Sequence, residues 1–156
     1  MYEEDFDSNV RRLVAAHPLL FRGKVPRVSS QLSEGWYGLV DKLCGDIEAV
    51  LGLEDCSKFT CHQIKEKLGT LRFYWSFQGS EDLAVDVIDT HHGISKIVLP
   101  VGHSIQHDRI RSLVDAATLA SEYLCEACGR SGQLICRSGW LVTRCDRHAL
   151  PDSPED

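Results

Sequence analysis

The sequence predicts an α+β fold in which helices pack on an antiparallel β-hairpin sheet. Apolar residues recur at helical spacing in three segments, and one aromatic-rich segment alternates with the period of a strand. Near the C-terminus, two pairs of Cys and His residues have the spacing of zinc ligands. This last observation adds a C-terminal zinc-bound β-hairpin to the predicted fold.

Bulk composition is that of a soluble globular protein, with 156 residues, 43% hydrophobic and 26% charged. We expect one domain over residues 1–150, which includes a zinc-binding subdomain over 124–149, and a disordered tail over 151–156. The chain opens on an acidic segment, and no apolar run has the length of a membrane span, so neither a signal peptide nor a membrane helix is expected. Seven cysteines then favour a reducing compartment.

Three amphipathic helices are predicted. The first covers residues 3–16 and ends before Pro18, because the residue before a proline disfavours helix. The second begins after Ser33 as N-cap and ends at Gly52. The third carries Ile110 and Val114 on one face and runs to about Tyr123, which brings the chain directly to the first cysteine pair.

A β-hairpin is predicted between the second and third helices, over residues 59–65 and 70–77. Gly69 lies at its turn, and the second strand alternates apolar with polar side chains. Residues 96–101 are predicted to form a further strand at a sheet edge, because Pro100 cannot donate a backbone hydrogen bond. Residues 78–95 give no clear pattern apart from a turn over 89–93.

The zinc-ligand pattern consists of C-x2-C, sixteen intervening residues and C-x2-H, and its ligands are Cys125, Cys128, Cys145 and His148. Three thiols and one imidazole complete a tetrahedral zinc site. The closed set leaves no position for a reactive water, so we predict one structural Zn²⁺ per chain. The intervening residues are predicted to form two short strands that turn at Ser138.

Several zinc enzymes are disfavoured by missing residues. A nuclease of the HNH kind needs His or Asn beside its catalytic hairpin, and residues 129–144 contain neither. A nucleotide deaminase needs H-x-E or C-x-E before its cysteine pair, and a metalloprotease helix needs H-E-x-x-H. The sequence contains none of these patterns.

A local basic patch marks the C-terminal hairpin of a chain whose net charge is −6. Its candidate binding residues are Arg130, Arg137, Arg144, Arg147 and Trp140. Arginine beside an accessible aromatic ring can bind nucleic acid or an acidic protein surface. The alternative is a solvated hairpin whose arginine stems cover apolar surface.

Four histidines raise the possibility of a second metal or catalytic site, namely His91, His92, His103 and His107. Two of them lie four residues apart and would share a helical face. Because no motif accompanies them, we interpret them as surface histidines.

Two further segments carry a resemblance. The string K-E-K-L-G-T-L-R-F-Y over residues 65–74 and the Gly35-Trp36 pair, together with the zinc ligands, resemble a group of small zinc-binding proteins from bacteriophages and prophages. The matching parts cover residues 35–77 and 104–148. The resemblance implies a viral origin and a location in the cytoplasm of a bacterial host.

By analogy with other small phage accessory proteins, the resemblance favours a non-enzymatic protein that binds a host protein or ribonucleoprotein complex. Such a protein can inhibit a bacterial defence system, as anti-CRISPR proteins do. Its contact surface is expected in residues 78–103 or on an acidic face. The acidic candidates are Glu81, Asp82, Asp86 and Asp89. The alternative is a nucleic-acid-binding zinc module that uses the arginines of the C-terminal hairpin.

Overall fold

Helices and paired strands follow one another along the chain, and a computed structural model describes residues 7–26, 30–78, 81–89, 93–101 and 104–149. The elements are α1 (Ser8–Ala16), α2 (Pro18–Phe21), α3 (Glu34–Asp55), a short 3₁₀ helix (Cys56–Lys58), β1 (Phe59–Lys67), β2 (Thr70–Phe77), β3 (Glu81–Asp89), β4 (Gly93–Val101), α4 (Ile105–Ser121), β5 (Gln133–Arg137), β6 (Trp140–Arg144) and α5 (Asp146–Ala149). The described strands form three separate two-stranded antiparallel sheets. The predicted α+β class is therefore confirmed.

The helix α3 presents an apolar stripe to the core, as its sequence predicts. Trp36, Val40 and Ile47 are among its buried residues. Ser33 precedes the helix but makes no side-chain capping hydrogen bond. At Gly52 the backbone leaves the helical region, with φ of 65°, and the remaining turn leads into the 3₁₀ helix.

The hairpin β1–β2 supplies the sheet of the core. Leu71, Phe73 and Phe77 are buried along β2, while the alternate residues face outward. Leu68 and Gly69 form a tight turn with positive φ at both positions, 56° and 77°, which matches the twist of a two-residue hairpin. β2 packs against α4, which in turn packs against α3. One apolar cluster joins buried residues of α1, α3, the hairpin and α4.

The hairpin β3–β4 occupies the middle segment. The strand β3 was not predicted, although Leu83, Val85 and Val87 alternate with more polar residues. The predicted strand over 96–101 is the second half of β4. The register includes all four candidate acids in the backbone pairing of β3 with β4. Asp82 pairs with Pro100 and Asp86 with Lys96, whereas Glu81 and Asp89 pair with Val101 and Gly93 at the two ends of the strand.

Two further predictions concern the limits of the chain. The single domain over 1–150, its subdomain over 124–149 and the tail over 151–156 stay predictions, and residues 150–156 lie outside the described part of the chain. None of the described helices combines the length and the apolar character that a membrane span requires.

Candidate metal centre

The first ligand pair lies in a tight turn shortly after α4. The amide of Gly129 donates to the carbonyl oxygen of Cys125 at 2.8 Å, and the amide of Cys125 donates to the carbonyl oxygen of Arg130 at 2.8 Å. Gly129 has a φ of 74°, which an L-residue adopts only with strain. This backbone turn directs Cys125 and Cys128 toward one point.

The second pair lies where β6 passes into the short helix α5. The amides of His148 and Ala149 both donate to the carbonyl oxygen of Cys145, at 2.9 and 2.8 Å. This single turn places the imidazole beside the thiol. The strands β5 and β6, paired from Gln133–Arg144 to Arg137–Trp140, bring the second turn back to the first.

The four predicted ligands come together. Their ligand atoms all lie within 4.8 Å of one another, and no other such group of three or more His, Cys, Asp or Glu occurs among the residues that the structure describes. Cys128 Sγ is 3.7 Å from Cys145 Sγ, and His148 Nδ1 is 3.5 Å from Cys125 Sγ and 3.3 Å from Cys145 Sγ. A disulfide needs about 2.05 Å between the sulfur atoms, so the cysteines are free thiols.

These distances fit a tetrahedral ion. Bonds of about 2.3 Å to sulfur and about 2.0 Å to nitrogen give sulfur–sulfur edges of about 3.8 Å and sulfur–nitrogen edges of about 3.5 Å. The observed separations of 3.7, 3.5 and 3.3 Å are close to those edges. Three thiols and one imidazole are also the ligand types that zinc prefers. The four residues can therefore hold one metal ion.

The lowered pKa of Cys125 also favours metal binding. Burial raises the pKa of this thiol, but backbone hydrogen bonds from Cys145, Cys128 and Ala127 outweigh burial and lower the pKa to about 6. The thiolate is the form of cysteine that binds a metal. The lowered pKa therefore increases the share of this buried ligand that is in its binding form at neutral pH.

The N-terminus of α3 packs directly on the first ligand turn. The amide of Gly35 donates to the carbonyl oxygen of Glu126 at 2.8 Å, and the indole Nε1 of Trp36 donates to the carbonyl oxygen of Leu124 at 2.9 Å. A Cβ atom at Gly35 would overlap the carbonyl oxygen of Cys125 and lie 2.5 Å from that of Glu126. The Gly35-Trp36 pair is thus explained by contact with the metal-site backbone.

The turn of the β1–β2 hairpin packs on the same module. The buried hydroxyl of Thr143 donates to the carbonyl oxygen of Gly69 at 2.7 Å. A side chain at Gly69 would overlap Leu134 of β5. Nearby, the hydroxyl of Ser121 accepts a hydrogen bond from the amide of Leu71 at 2.9 Å. The metal centre therefore joins the start of α3, the end of α4 and the β1–β2 turn.

Glu126 connects the two ligand pairs from a buried position. Its carboxylate accepts hydrogen bonds from the amide of Thr143 at 2.8 Å and from Arg144 Nη1 at 3.0 Å. Its own amide donates to the carbonyl oxygen of Thr143 at 3.0 Å. A buried carboxylate is stable only with such partners, so Arg144 neutralises a charge inside the module.

We expect Glu126→Gln to lower the free energy of unfolding by about 1–3 kcal/mol, because it removes the ionic partner of Arg144. Urea denaturation measures this difference. The matched control is Glu34→Gln, which removes a solvent-exposed pair with Arg12 at 3.6 Å. It should change stability by less than about 0.5 kcal/mol. Equal effects of the two variants would contradict the role assigned to Glu126.

The candidate arginines have different environments. Arg130 and Arg147 are exposed and Arg137 is half-buried, whereas Arg144 makes the internal ion pair. Trp140 is 77% exposed at the tip of the hairpin. Ser138 and Gly139 form the predicted turn beside it, with φ of 50° and 84°. Three of the four arginines thus lie where a partner can reach them.

Of the four candidate histidines, the structure describes only His107. His107 is buried on α4 rather than on the surface, and its ring lies 4.9 Å from that of Trp75. The helix begins at Ile105, after the position of His103. His91, His92 and His103 lie outside the described residues. The interpretation of His107 as a surface residue was therefore wrong, because its face of α4 packs on the hairpin.

Some structural residues gave no recognised signal in the sequence. His17 is buried and lies 3.0 Å from both Asp41 Oδ1 and Glu48 Oε2, which joins α1 to α3. Glu126 lies between two cysteines and is a second residue of this kind. Its position inside the C-x2-C turn, which points it toward the hairpin, was the available clue.

The remaining cysteines divide by burial. Cys44, Cys56 and Cys61 are buried, as expected for small apolar side chains, whereas Cys136 is exposed on β5. Burial raises the pKa of Cys61 to about 12, so this thiol stays protonated and inert.

Comparisons with known proteins find no match. No protein-family model, no curated protein and no solved structure is significantly similar to the chain.

Proposed function

We propose that this chain is a non-enzymatic binding protein in which one zinc ion has a structural role. The observation that carries the proposal is the closed Cys₃His cluster, whose surrounding backbone contacts α3 and the β1–β2 turn. Four protein ligands leave no coordination position for a substrate or a reactive water. An ion held in this way contributes to folding, and function then depends on the surface that the fold presents.

We further propose that the protein is encoded by a bacteriophage, binds a host protein or ribonucleoprotein complex in the bacterial cytoplasm and inhibits a defence system. The resemblance of the Gly35-Trp36 pair and of residues 65–74 to small phage proteins supports this origin. The acidic strand β3 is the proposed contact for a basic host surface, because opposite charges steer association.

Affinity capture from a bacterial lysate, followed by binding measurements with the purified partner, tests this proposal. We expect one partner whose affinity falls at least about tenfold when Asp82 and Asp86 are both changed to lysine. Asp115→Lys, an exposed change on α4, is the control for net charge. The proposal fails if no captured protein binds directly, or if the control variant weakens binding as much.

A second candidate is nucleic-acid binding by the C-terminal hairpin. The exposure of Trp140 beside accessible arginines favours it, since proteins stack unpaired bases on aromatic rings and bind phosphates with arginine. We expect binding of an oligonucleotide that weakens as salt is added. Absence of binding at about 20 mM salt would remove this candidate.

A further inference from the structure

The outward face of the β1–β2 hairpin is basic. Lys65 lies opposite Arg72 in the register, and Lys67 lies at the end of β1 beside the turn. The sheet alternation places all three on the face opposite the buried Leu71 and Phe73. Within residues 59–77 the only acid is Glu66, whose carboxylate accepts a hydrogen bond from the amide of Gly69 at 2.6 Å.

An aromatic ring lies among these cations. Tyr74 is 44% exposed on the same outward face of β2. The Nζ atom of Lys65 lies 5.5 Å from the centre of its ring. A flat ring with a cation at its side offers a stacking surface for a base and a charge for its phosphate.

The zinc hairpin adjoins the turn of this hairpin. Thr143 and Leu134 of that hairpin contact Gly69, the residue at the turn of β1–β2, so the two hairpins meet directly. Beyond the junction lie Arg137 and the exposed ring of Trp140, which are paired across the strands. Both hairpins therefore present cations together with an exposed aromatic ring.

Charge separates this surface from the rest of the molecule. Six cations belong to the two hairpins and the ligand turns beside them, and we call this set the basic strip: Lys65, Lys67, Arg72, Arg130, Arg137 and Arg147. Within residues 129–148 the only acid is Asp146. The whole chain nevertheless has a net charge of −6. An acidic protein with cations on two adjoining hairpins, each of which also has an exposed ring, is suited to a polyanion with flat groups.

We propose that the basic strip, with Tyr74 and Trp140, is a binding track for single-stranded nucleic acid. The inference rests on the nucleic-acid-binding function proposed above, and it assigns the strand type and extends the contact from the zinc hairpin to the β1–β2 hairpin. Phosphates contact the lysines and arginines, and two unpaired bases stack on the two rings.

A single strand fits better than a duplex. Stacking on an exposed ring needs a base whose face is free, and a duplex covers both faces of its internal bases. The strip therefore favours the unpaired strand.

Fluorescence anisotropy with the full-length zinc-loaded protein tests the track. The probes are labelled oligo(dT) and oligo(rU) of about 20 nucleotides and a mixed-sequence duplex of equal length. We expect both single strands to bind more tightly than the duplex. Each cation that contacts a phosphate contributes about 0.7 to the slope of log affinity against log salt.

Paired substitutions measure the contribution of each hairpin to binding. Lys65→Gln with Arg72→Gln should reduce that slope by about 1.4, and so should Arg137→Gln with Arg147→Gln. The matched control is Lys42→Gln with Lys58→Gln, which removes two exposed lysines outside the strip and should leave the slope unchanged. Thermal unfolding of each variant verifies that the fold is intact.

Stacking has its own test. Trp140→Ala should weaken single-strand binding about 5- to 100-fold, while Trp140→Tyr, which keeps an aromatic face, restores most of it. The side chain is 77% exposed, so neither change should alter the fold.

The outcomes are distinct. Equal or tighter binding of the duplex, or loss of binding only with the zinc-hairpin variants, overturns the track and leaves the nucleic-acid function standing. Failure of all three probes to bind at about 20 mM salt overturns both. Binding that the control variant weakens as strongly would also overturn the track, because net charge alone would then explain it.

Discussion

Replacement of Cys145 by serine is expected to abolish zinc binding and to lower the free energy of unfolding by more than about 5 kcal/mol. Serine is a poor zinc ligand, and the remaining three ligands cannot complete the tetrahedron. Cys145 is buried and lies against both Cys128 and His148, so its replacement removes a ligand from the interior of the cluster. The expected change is a large share of the stability of about 5–15 kcal/mol that is typical of a domain.

The matched control is Cys136→Ser on the same hairpin. Cys136 is exposed and lies outside the cluster, so we expect normal zinc content and a change of less than about 0.5 kcal/mol. Urea denaturation and metal analysis of the two variants provide the comparison. If Cys145→Ser kept one zinc per chain and unfolded like the control, the assigned ligand set would be wrong.

Replacement of Gly35 by alanine is expected to destabilise the protein by about 3 kcal/mol or more, although alanine is normally the better helix residue. The added Cβ would overlap the carbonyl oxygen of Cys125 and press on that of Glu126. Both are backbone atoms of the ligand turn, so they cannot rotate away as a side chain would. The helix and the turn must separate, and zinc should exchange faster as a result.

Gly38→Ala, one turn along the same helix, shows what the substitution does without that contact. A Cβ atom at Gly38 meets nothing within 4 Å. Here alanine should stabilise the helix by about 0.5–1 kcal/mol. Thermal unfolding and the rate of zinc transfer to a chelator measure both variants. Similar stabilisation at the two positions would contradict the direct contact between α3 and the metal centre.

Local patterns were well predicted from the sequence because their causes are local. Helical spacing indicated α3 and α4, alternation indicated β2, and the Ser138-Gly139 pair marked the last turn. The spacing of Cys and His correctly indicated four side chains that come together. In each case the pattern depends on residues that are near neighbours along the chain, or it follows a known spacing of metal ligands.

Long-range contacts were not predicted, because their causes lie far apart in the chain. Nothing in the sequence near Glu34 indicates that Gly35 meets Glu126, ninety-one residues later. In the sequence Arg144 does not differ from the exposed arginines near it, because its partner, the buried carboxylate of Glu126, is eighteen residues away. The burial of His107 likewise depends on the packing of α4 against β2.

Two measurements, the zinc content of the protein and its thermal unfolding after chelation, test the central claim that one ion fastens the C-terminal hairpin to the core. Metal analysis of the purified protein should find about one zinc per chain. Thermal unfolding after removal of zinc by a strong chelator should show a transition at least about 10 °C lower, and added zinc should restore it. A protein that contains no zinc, or that unfolds at the same temperature after chelation, would contradict the claim.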